Sequence, residues 1–364
     1  MAKKIFIAAT MQNDGKTTIS LGIIAALKKC FRRVGFIKPI GQRYLIEQGY
    51  KVDEDSVLIE EVFGFGANIK DMSPIAIEKG FTERYIENGA DDDYVKRIKD
   101  SFDKVAMESD LVIIEGTGHA GVGSVFDLSN ATVARLLDAN VILVSAGGVG
   151  RPIDEIILNK ALFDKEGVAI SGVIVNKVLP EKYDKVSHLV RMGLEKKGLN
   201  VLGVLPYQKT LDIPTMREIM GEVKVDLLYE GRTMDVIVEK ILIGAMNVKD
   251  ALKFIENNSL MIIPGGREDM IKAVAAVHAG RLKKNCRITG VILSGGLAPG
   301  KGILNVLERS GITTFITKED TYSIAAKVHS IIVKLKPQDT DKIKLIIEMV
   351  ETHVDMNKVL AGLK

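Results

Sequence analysis

Short apolar runs rich in β-branched residues recur along the first 206 residues, at 5–9, 34–38, 111–115, 141–146, 170–176 and 201–205. Between them, at 18–29, 94–107, 131–137, 153–163 and 185–197, apolar residues return every three or four positions. The runs predict strands and the longer period predicts amphipathic helices. Their alternation predicts parallel strands, because a parallel connection needs a long return path. Continuous apolar runs further predict a sheet covered by helices on both faces. A second, shorter alternation begins near Gly244, with strands at 260–263, 288–293 and 313–316 and helices at 248–256, 269–279, 303–309 and 322–335. Pro214 and several charges place the boundary within 209–232, so 211–240 reads as a linker between units at 1–210 and 241–338. The last stretch, 339–364, has apolar residues at helical spacing among Lys and Glu up to residue 359. It is expected to form an amphipathic helix packed on a domain or on a partner subunit.

The length of 364 residues fits about two domains. With 46% hydrophobic and 27% charged residues, disorder and a collagen-like chain are poor fits. No apolar run approaches the ~18 residues of a membrane span, and the N-terminal residues enter a strand where a signal peptide would have its apolar core. Cys30 and Cys286 lie too far apart in sequence to resemble a metal knuckle or a redox pair, so a cytoplasmic location is expected. The net charge of +3 gives no general pull toward nucleic acid. The basic cluster Lys28-Lys29-Cys30-Phe31-Arg32-Arg33 closes the first predicted helix, where cations complement the helix dipole. An RNA or DNA patch is its alternative reading, set against the absence of Trp and the scarcity of aromatics.

Candidate chemistry starts where the first strand ends. There the chain reads Thr10-Met11-Gln12-Asn13-Asp14-Gly15-Lys16-Thr17-Thr18 and enters a helix. The strict phosphate-loop pattern has a glycine where Thr10 stands, but the remaining physics is intact. Gly15 lets the backbone approach a phosphate, and N–H groups at the helix start point at the anion. Lys16 would reach the β- and γ-phosphates and the Thr17 hydroxyl would hold Mg²⁺. An ordinary strand-to-helix turn would instead leave a lysine where the helix dipole disfavours it. Two further strand ends carry charge, Lys38 before Pro39 and Glu115 before Gly116-Thr117-Gly118. Ligands of open α/β sheets sit outside such carboxyl ends. A solvated lysine at a sheet edge and a helix-capping glutamate are the structural alternatives.

Taken together, the 10–17 loop, Lys38-Pro39, Asp55, Glu115-Gly116-Thr117-Gly118, Val175-Asn176 and Gly203-Val204-Leu205-Pro206 resemble the ordered motifs of dethiobiotin synthetase-type P-loop ATPases. The resemblance implies a P-loop NTPase parallel sheet with helices on both faces, binding ATP and Mg²⁺. It implies that Thr10, Asn13, Asp14, Gly15, Lys16, Thr17 and Thr18 cradle the phosphates and that Asn176 reads adenine. It places metal binding on Thr17, Asp55 and Glu115, with Asp53 as a competitor for Asp55, and gives Lys16 and Lys38 the catalytic charge. After Pro39 this chain has Ile40-Gly41-Gln42-Arg43 where the synthetases place small hydroxyl residues, so diaminopelargonate is not the expected substrate. The glycine-rich stretch 115–124 ahead of Phe126-Asp127-Leu128-Ser129-Asn130, and the stretch 146–155, look more like the ATPase-like N-terminal region of long bacterial phosphate acetyltransferases. In the latter stretch Arg151 and Asp154 read equally well as an ordinary helix-start pair.

In the second half, Pro264-Gly265-Gly266-Arg267-Glu268-Asp269, Ser294-Gly295-Gly296 and Lys318-Glu319-Asp320-Thr321 resemble a DRTGG domain, a smaller α/β unit. Gly266 stands where that family has aspartate, and Ser294 replaces threonine. The unit reads either as a packing and dimerisation domain or as a regulatory small-ligand site. Phosphate acetyltransferases carry their catalytic domain after this one, whereas this sequence stops at Lys364, so acetyl transfer is not expected. Two functions fit. One is a Mg²⁺-dependent ATPase or ATP-dependent carboxylate- or carbamate-activating ligase of unknown substrate. The other is a non-catalytic nucleotide sensor acting through the DRTGG-like half. A homodimer or higher homo-oligomer is expected, with neither nucleic acid nor membrane as a partner.

Overall fold

The computed structural model describes residues 2–89, 93–282 and 286–364. It divides into two compact units, one made of Met1–Gln208 with Leu335–Lys364 and the other of Lys209–Lys334. The first is built on six strands: β1 Lys3–Ala9, β2 Val34–Ile37, β3 Leu111–Glu115, β4 Val141–Ala146, β5 Ile170–Val178 and β6 Val201–Pro206. Their order is β6-β5-β4-β1-β3-β2 and every pairing is parallel. β2, β3 and β4 are buried almost throughout, as continuous apolar strands between two helical layers should be. Because β2 and β3 lie on one side of β1 and β4 to β6 on the other, the order reverses at β1. In open α/β sheets the crevice at such a reversal is where ligands bind.

Helix α1, Lys16–Leu27, is apolar nearly all round and mostly buried. It can be so because its outer side is covered by helix α4, Thr340–His353, from the far end of the chain. A Cβ on Gly22 would lie 2.3 Å from Val350 Cγ2, so glycine is what lets the two helices approach. The C-terminal stretch 339–364, expected as one helix, is two, with Met356–Ala361 following α4. Val354 leaves the helix in extended conformation and bridges Gly203, and the Asp355 side chain caps the second helix. Asp355 N–H donates to Leu202 C=O at 2.8 Å, and Lys4 and Lys364 exchange backbone bonds of 2.9 and 3.1 Å. The Val354 and Asp355 contacts cover the open edge of β6 at Leu202 and Gly203.

The stretch 211–240 is folded, which corrects its reading as a linker. Met216–Glu222 is a helix with a Thr215–Glu218 capping box, and β7, Asp226–Tyr229, pairs antiparallel with Thr313–Ile316. The second unit is a five-stranded sheet in the order β7-β11-β10-β9-β8. Here β8 is Lys240–Ile243, β9 Ser259–Pro264, β10 Ile288–Ser294 and β11 Thr313–Ile316. The two outer strands, β7 and β8, are short and partly or largely exposed, although each carries a short apolar run, Leu227-Leu228-Tyr229 and Ile241-Leu242-Ile243. Among the described residues no helix is long and apolar enough to cross a membrane.

Replacing Gly22 by Val should overpack the α1–α4 contact at a cost of about 1–3 kcal/mol. For a unit of this size that lowers its melting temperature by roughly 3–10 °C. An unchanged thermal transition would contradict this packing.

Candidate functional site

The carboxyl end of β1 runs into a loop whose geometry is fixed by side chains as much as by glycine. Thr10 Oγ1 donates to Asp14 Oδ2 at 2.7 Å and lies 3.0 Å from Ser145 Oγ on β4. Met11 N–H donates to the same Asp14 oxygen at 2.7 Å. Burial lifts the Asp14 carboxyl above its ordinary range, and these bonds only partly offset it. Asn13 (φ 68°) and Gly15 (φ 95°) turn the loop through the left-handed region, so α1 starts at Lys16. Asn176, at the end of β5, donates its Nδ2 to Asp14 C=O at 3.0 Å. A Cβ on Gly15 would lie 2.3 Å from that nitrogen, so no larger residue fits. Thr18 sits half-buried on the same first turn of α1.

Beneath this loop the charges converge. Lys16 is buried, and burial lowers its pKa, with Lys38 acting in the same direction and Glu115, Asp55 and Asp14 opposing. Thr17 Oγ1 donates to Glu115 Oε1 at 3.1 Å. Lys38 is also buried: its Nζ lies 2.9 Å from Asp53 Oδ1 and 3.6 Å from Glu115 Oε1, and it donates to Asp55 Oδ2. Burial alone would lower the Lys38 pKa, but Asp55, Asp53 and Glu115 outweigh it and raise it well above the ordinary lysine value. Burial raises the Glu115 and Asp53 carboxyls, with Lys38 pulling each back down. Thus Lys16, Thr17, Lys38, Asp53, Asp55 and Glu115 occupy one site, although they come from four separate stretches of sequence.

The two aspartates differ in role. Asp53 accepts the Asp55 N–H at 3.0 Å, capping helix α2, Glu54–Phe63. Its own N–H donates to Ser73 Oγ at 2.9 Å. It ends an antiparallel hairpin, Tyr44–Glu47 with Tyr50–Asp53, that the apolar pattern did not reveal. Its one signal is Gln48-Gly49, both with positive φ, as a tight two-residue turn requires. Among the described residues, no three His, Cys, Asp or Glu side chains are arranged to hold a metal; the carboxylates meet on Lys38 instead.

Two asparagines hold the neighbouring loop, and neither was singled out by the sequence motifs as a site residue. Asn130 accepts Thr117 N–H at 3.0 Å and donates to the carbonyls of Thr117 and His119 at 2.7 Å. Asn159 lies on helix α3, Gly150–Lys165. It donates to Thr10 C=O at 3.2 Å and accepts Ala120 N–H at 2.8 Å, so it ties the 10–15 loop to the glycine-rich stretch. On the same helix Arg151 pairs with Glu155 at 2.6 Å. In the second unit Ser294 and Thr321 share a hydroxyl–hydroxyl bond of 2.7 Å. Arg267 holds Asp269 at 2.8 and 2.9 Å, keeping its pKa down to about 2, while Gly266 faces open space.

Asn159→Ala would leave the Thr10 carbonyl and the Ala120 amide without this partner, at a cost of about 1–3 kcal/mol. The Ala120 amide should then exchange hydrogen faster in native-state exchange. Unaltered protection would show that Asn159 does not hold the two loops together.

Residues 3–215 match the AAA domain family and residues 218–331 match the DRTGG domain. Curated relatives include the phosphate acetyltransferase of Synechocystis sp., 26% identical across 100% of this chain and 52% of its own length. That of Nitratidesulfovibrio vulgaris is 26% identical across 99% of this chain and 51% of its own. The chain thus spans about half the length of the curated relatives it matches. Among solved structures, the MinC:MinD cell division protein complex of Aquifex aeolicus is 20% identical, with a TM-score of 0.37 over 58% of this chain and 84% of that one. The resemblance noted from the motifs therefore holds at the level of the whole chain: this protein belongs to the AAA domain family of P-loop proteins and carries a DRTGG domain after it.

Proposed function

We propose that the first unit binds ATP together with Mg²⁺ and uses the bound nucleotide for hydrolysis or for activating a carboxylate or carbamate. The observation that carries this reading is the placement of Lys16 and Lys38, both buried, against Glu115 at the strand ends where the sheet order reverses. A buried ammonium whose pKa is depressed gains stabilisation from an anion brought next to it. The 10–15 loop and the first turn of α1 would wrap the phosphates. Asn176 has its amide nitrogen committed to Asp14, which leaves Oδ1 for the amino group of adenine.

The residues fit Mg²⁺ chemically. Thr17, Asp55 and Glu115 are an oxygen-only donor set suited to a hard cation. Among the described residues Glu115 Oε2 is buried without a hydrogen-bond partner, an atom that a cation would satisfy. Bound there, Mg²⁺ would neutralise charge on the phosphates. Asp53, committed as a helix cap, then acts as the anchor of Lys38, and Asp55 is the metal ligand. Lys38 would turn from the carboxylates to the transferring phosphoryl group, whose charge must be offset. The second reading, a nucleotide sensor without turnover, is favoured by the complete enclosure of Lys38 by carboxylates, which withholds it from a substrate. Under that reading the DRTGG domain carries the response. A homodimer in the cytoplasm suits either reading, and both cysteines are unpaired.

Calorimetric titration with ATP should show Lys16→Ala losing about a hundredfold or more in affinity, as expected when a charge-assisted phosphate contact is removed. Unchanged affinity would move the phosphate site elsewhere. Glu115→Gln should weaken the Mg²⁺ dependence of that titration, and an identical Mg²⁺ curve would remove Glu115 from the metal. Turnover of the unaltered protein no higher than that of Lys16→Ala, combined with tight binding, decides for the sensor.

A further inference from the structure

A cavity of about 800 Å³ opens in the first unit between the 44–53 hairpin, residues 70–78 and helix Tyr94–Met107. Its volume falls in the range of small-molecule clefts, roughly 300–1,000 Å³. None of the loop residues 10–17 lines it, so it is separate from the nucleotide site described above. Five cations line it, Lys51, Lys70, Arg84, Arg97 and Lys104, against the carboxylates of Asp71, Glu78 and Asp100.

Those three carboxylates are already engaged. Asp71 accepts from Lys104 at 3.0 Å and from Ser101 at 3.1 Å, Glu78 accepts from Lys51 at 2.5 Å, and Asp100 accepts from Lys96 at 2.6 Å. Among the described residues Lys70 and Arg84 have no carboxylate partner. Lys70 Nζ lies 5.3 Å from the centre of the Tyr50 ring, and Arg84 reaches only the Lys79 carbonyl, at 3.5 Å. Cations left unbalanced on a concave wall focus a positive potential into it, and a guanidinium suits planar oxyanions such as carboxylate and phosphate. Phe81, Tyr94 and Ile75 supply a buried apolar floor for a short carbon skeleton.

The wall of the cavity is also bonded to the nucleotide site. Ser73 lines the cavity at 2% exposure, and its Oγ accepts the N–H of Asp53, which holds Lys38. The adjacent Met72 carbonyl accepts both Lys38 N–H at 2.8 Å and Ser56 Oγ–H at 3.1 Å. A ligand pressing on Ser73 thus acts on the backbone that positions Lys38.

We propose that this cavity is a second binding site, for a small multivalent anion bearing carboxylate or phosphate groups, gripped by Lys70 and Arg84. The test uses the full chain carrying Lys16→Ala, so that the nucleotide loop does not contribute. Citrate and inorganic pyrophosphate are titrated calorimetrically at low ionic strength. Saturable one-site binding of at least one is expected, and the tighter of the two identifies the anion type. Arg84→Glu and Lys70→Glu, each with an unchanged melting temperature, should weaken it at least about tenfold. The proposal is overturned if neither anion binds, or if both charge reversals leave the affinity unchanged. It is equally overturned if binding seen with Lys16 present disappears in Lys16→Ala, which would place the anion on the 10–17 loop.

Discussion

Lys38 is a positive charge removed from water, and a charge in that position is tolerated only if counter-charges are held around it. Asp53, Asp55 and Glu115 do so, and each is itself a buried carboxylate that would be costly without the lysine. The dependence is mutual and draws in a good deal of backbone. Asp53 must cap α2 to lie where it does, and Gly41 must lack a side chain, since a Cβ there would sit 2.5 Å from the Asp53 carboxylate. Glu115 must end β3 beside β1, so that Thr17 of α1 can donate to it. Removing Lys38 from such a cluster leaves its buried carboxylates without their shared counter-charge, a loss of about 3–5 kcal/mol. That makes the cluster a strong constraint on how β1, β2, β3 and the hairpin meet.

Around this centre the first unit is closed by its own C-terminus. α1, which carries Lys16 and Thr17 on its first turn, is too apolar to face water, and α4 covers it through the Gly22–Val350 contact. The chain leaves this unit after Gln208 and returns to it at Leu335, so the unit is continuous in space and interrupted in sequence. The loop that starts α1 is fixed from several directions, by Ser145 on β4, Asn159 on α3 and Asn176 on β5. Thr10, where a phosphate loop has glycine in its strict form, belongs to that fixation, because its hydroxyl holds Asp14.

Local sequence carried much of this. The six apolar runs of the first half form the six parallel strands of its sheet, because burial on both faces demands uninterrupted apolar residues. The short outer strands β7 and β8 lie within or beside the stretch whose proline and charges read as a linker, and these masked their brief apolar runs, Leu227-Leu228-Tyr229 and Ile241-Leu242-Ile243. The 44–53 hairpin escaped for a related reason: Tyr44, Leu45, Ile46 and Tyr50 are exposed, so their apolar character does not follow the inside–outside alternation of a sheet. The stretch at 339–359 had the right period but a hidden break, because Val354 is apolar in either conformation and its extended one goes with the bridge to Gly203 and the cap and Leu202 bond of Asp355.

The sequence by itself determined the six strands of the first sheet, the three central strands of the second and the charged residues at the strand ends. Periodicity and the Gly15-Lys16-Thr17 turn depend on neighbours a few residues away, and these are written in order. Tertiary structure alone decided which charges share a site. Lys38 meets Asp53, Asp55 and Glu115, and Asn159 joins Thr10 to Ala120, across separations that no local pattern encodes. It also decided that Asp53 is a cap and that the last helices belong to the first unit. Burial and charge balance are properties of packed three-dimensional neighbours, and those exist only once the sheet has assembled.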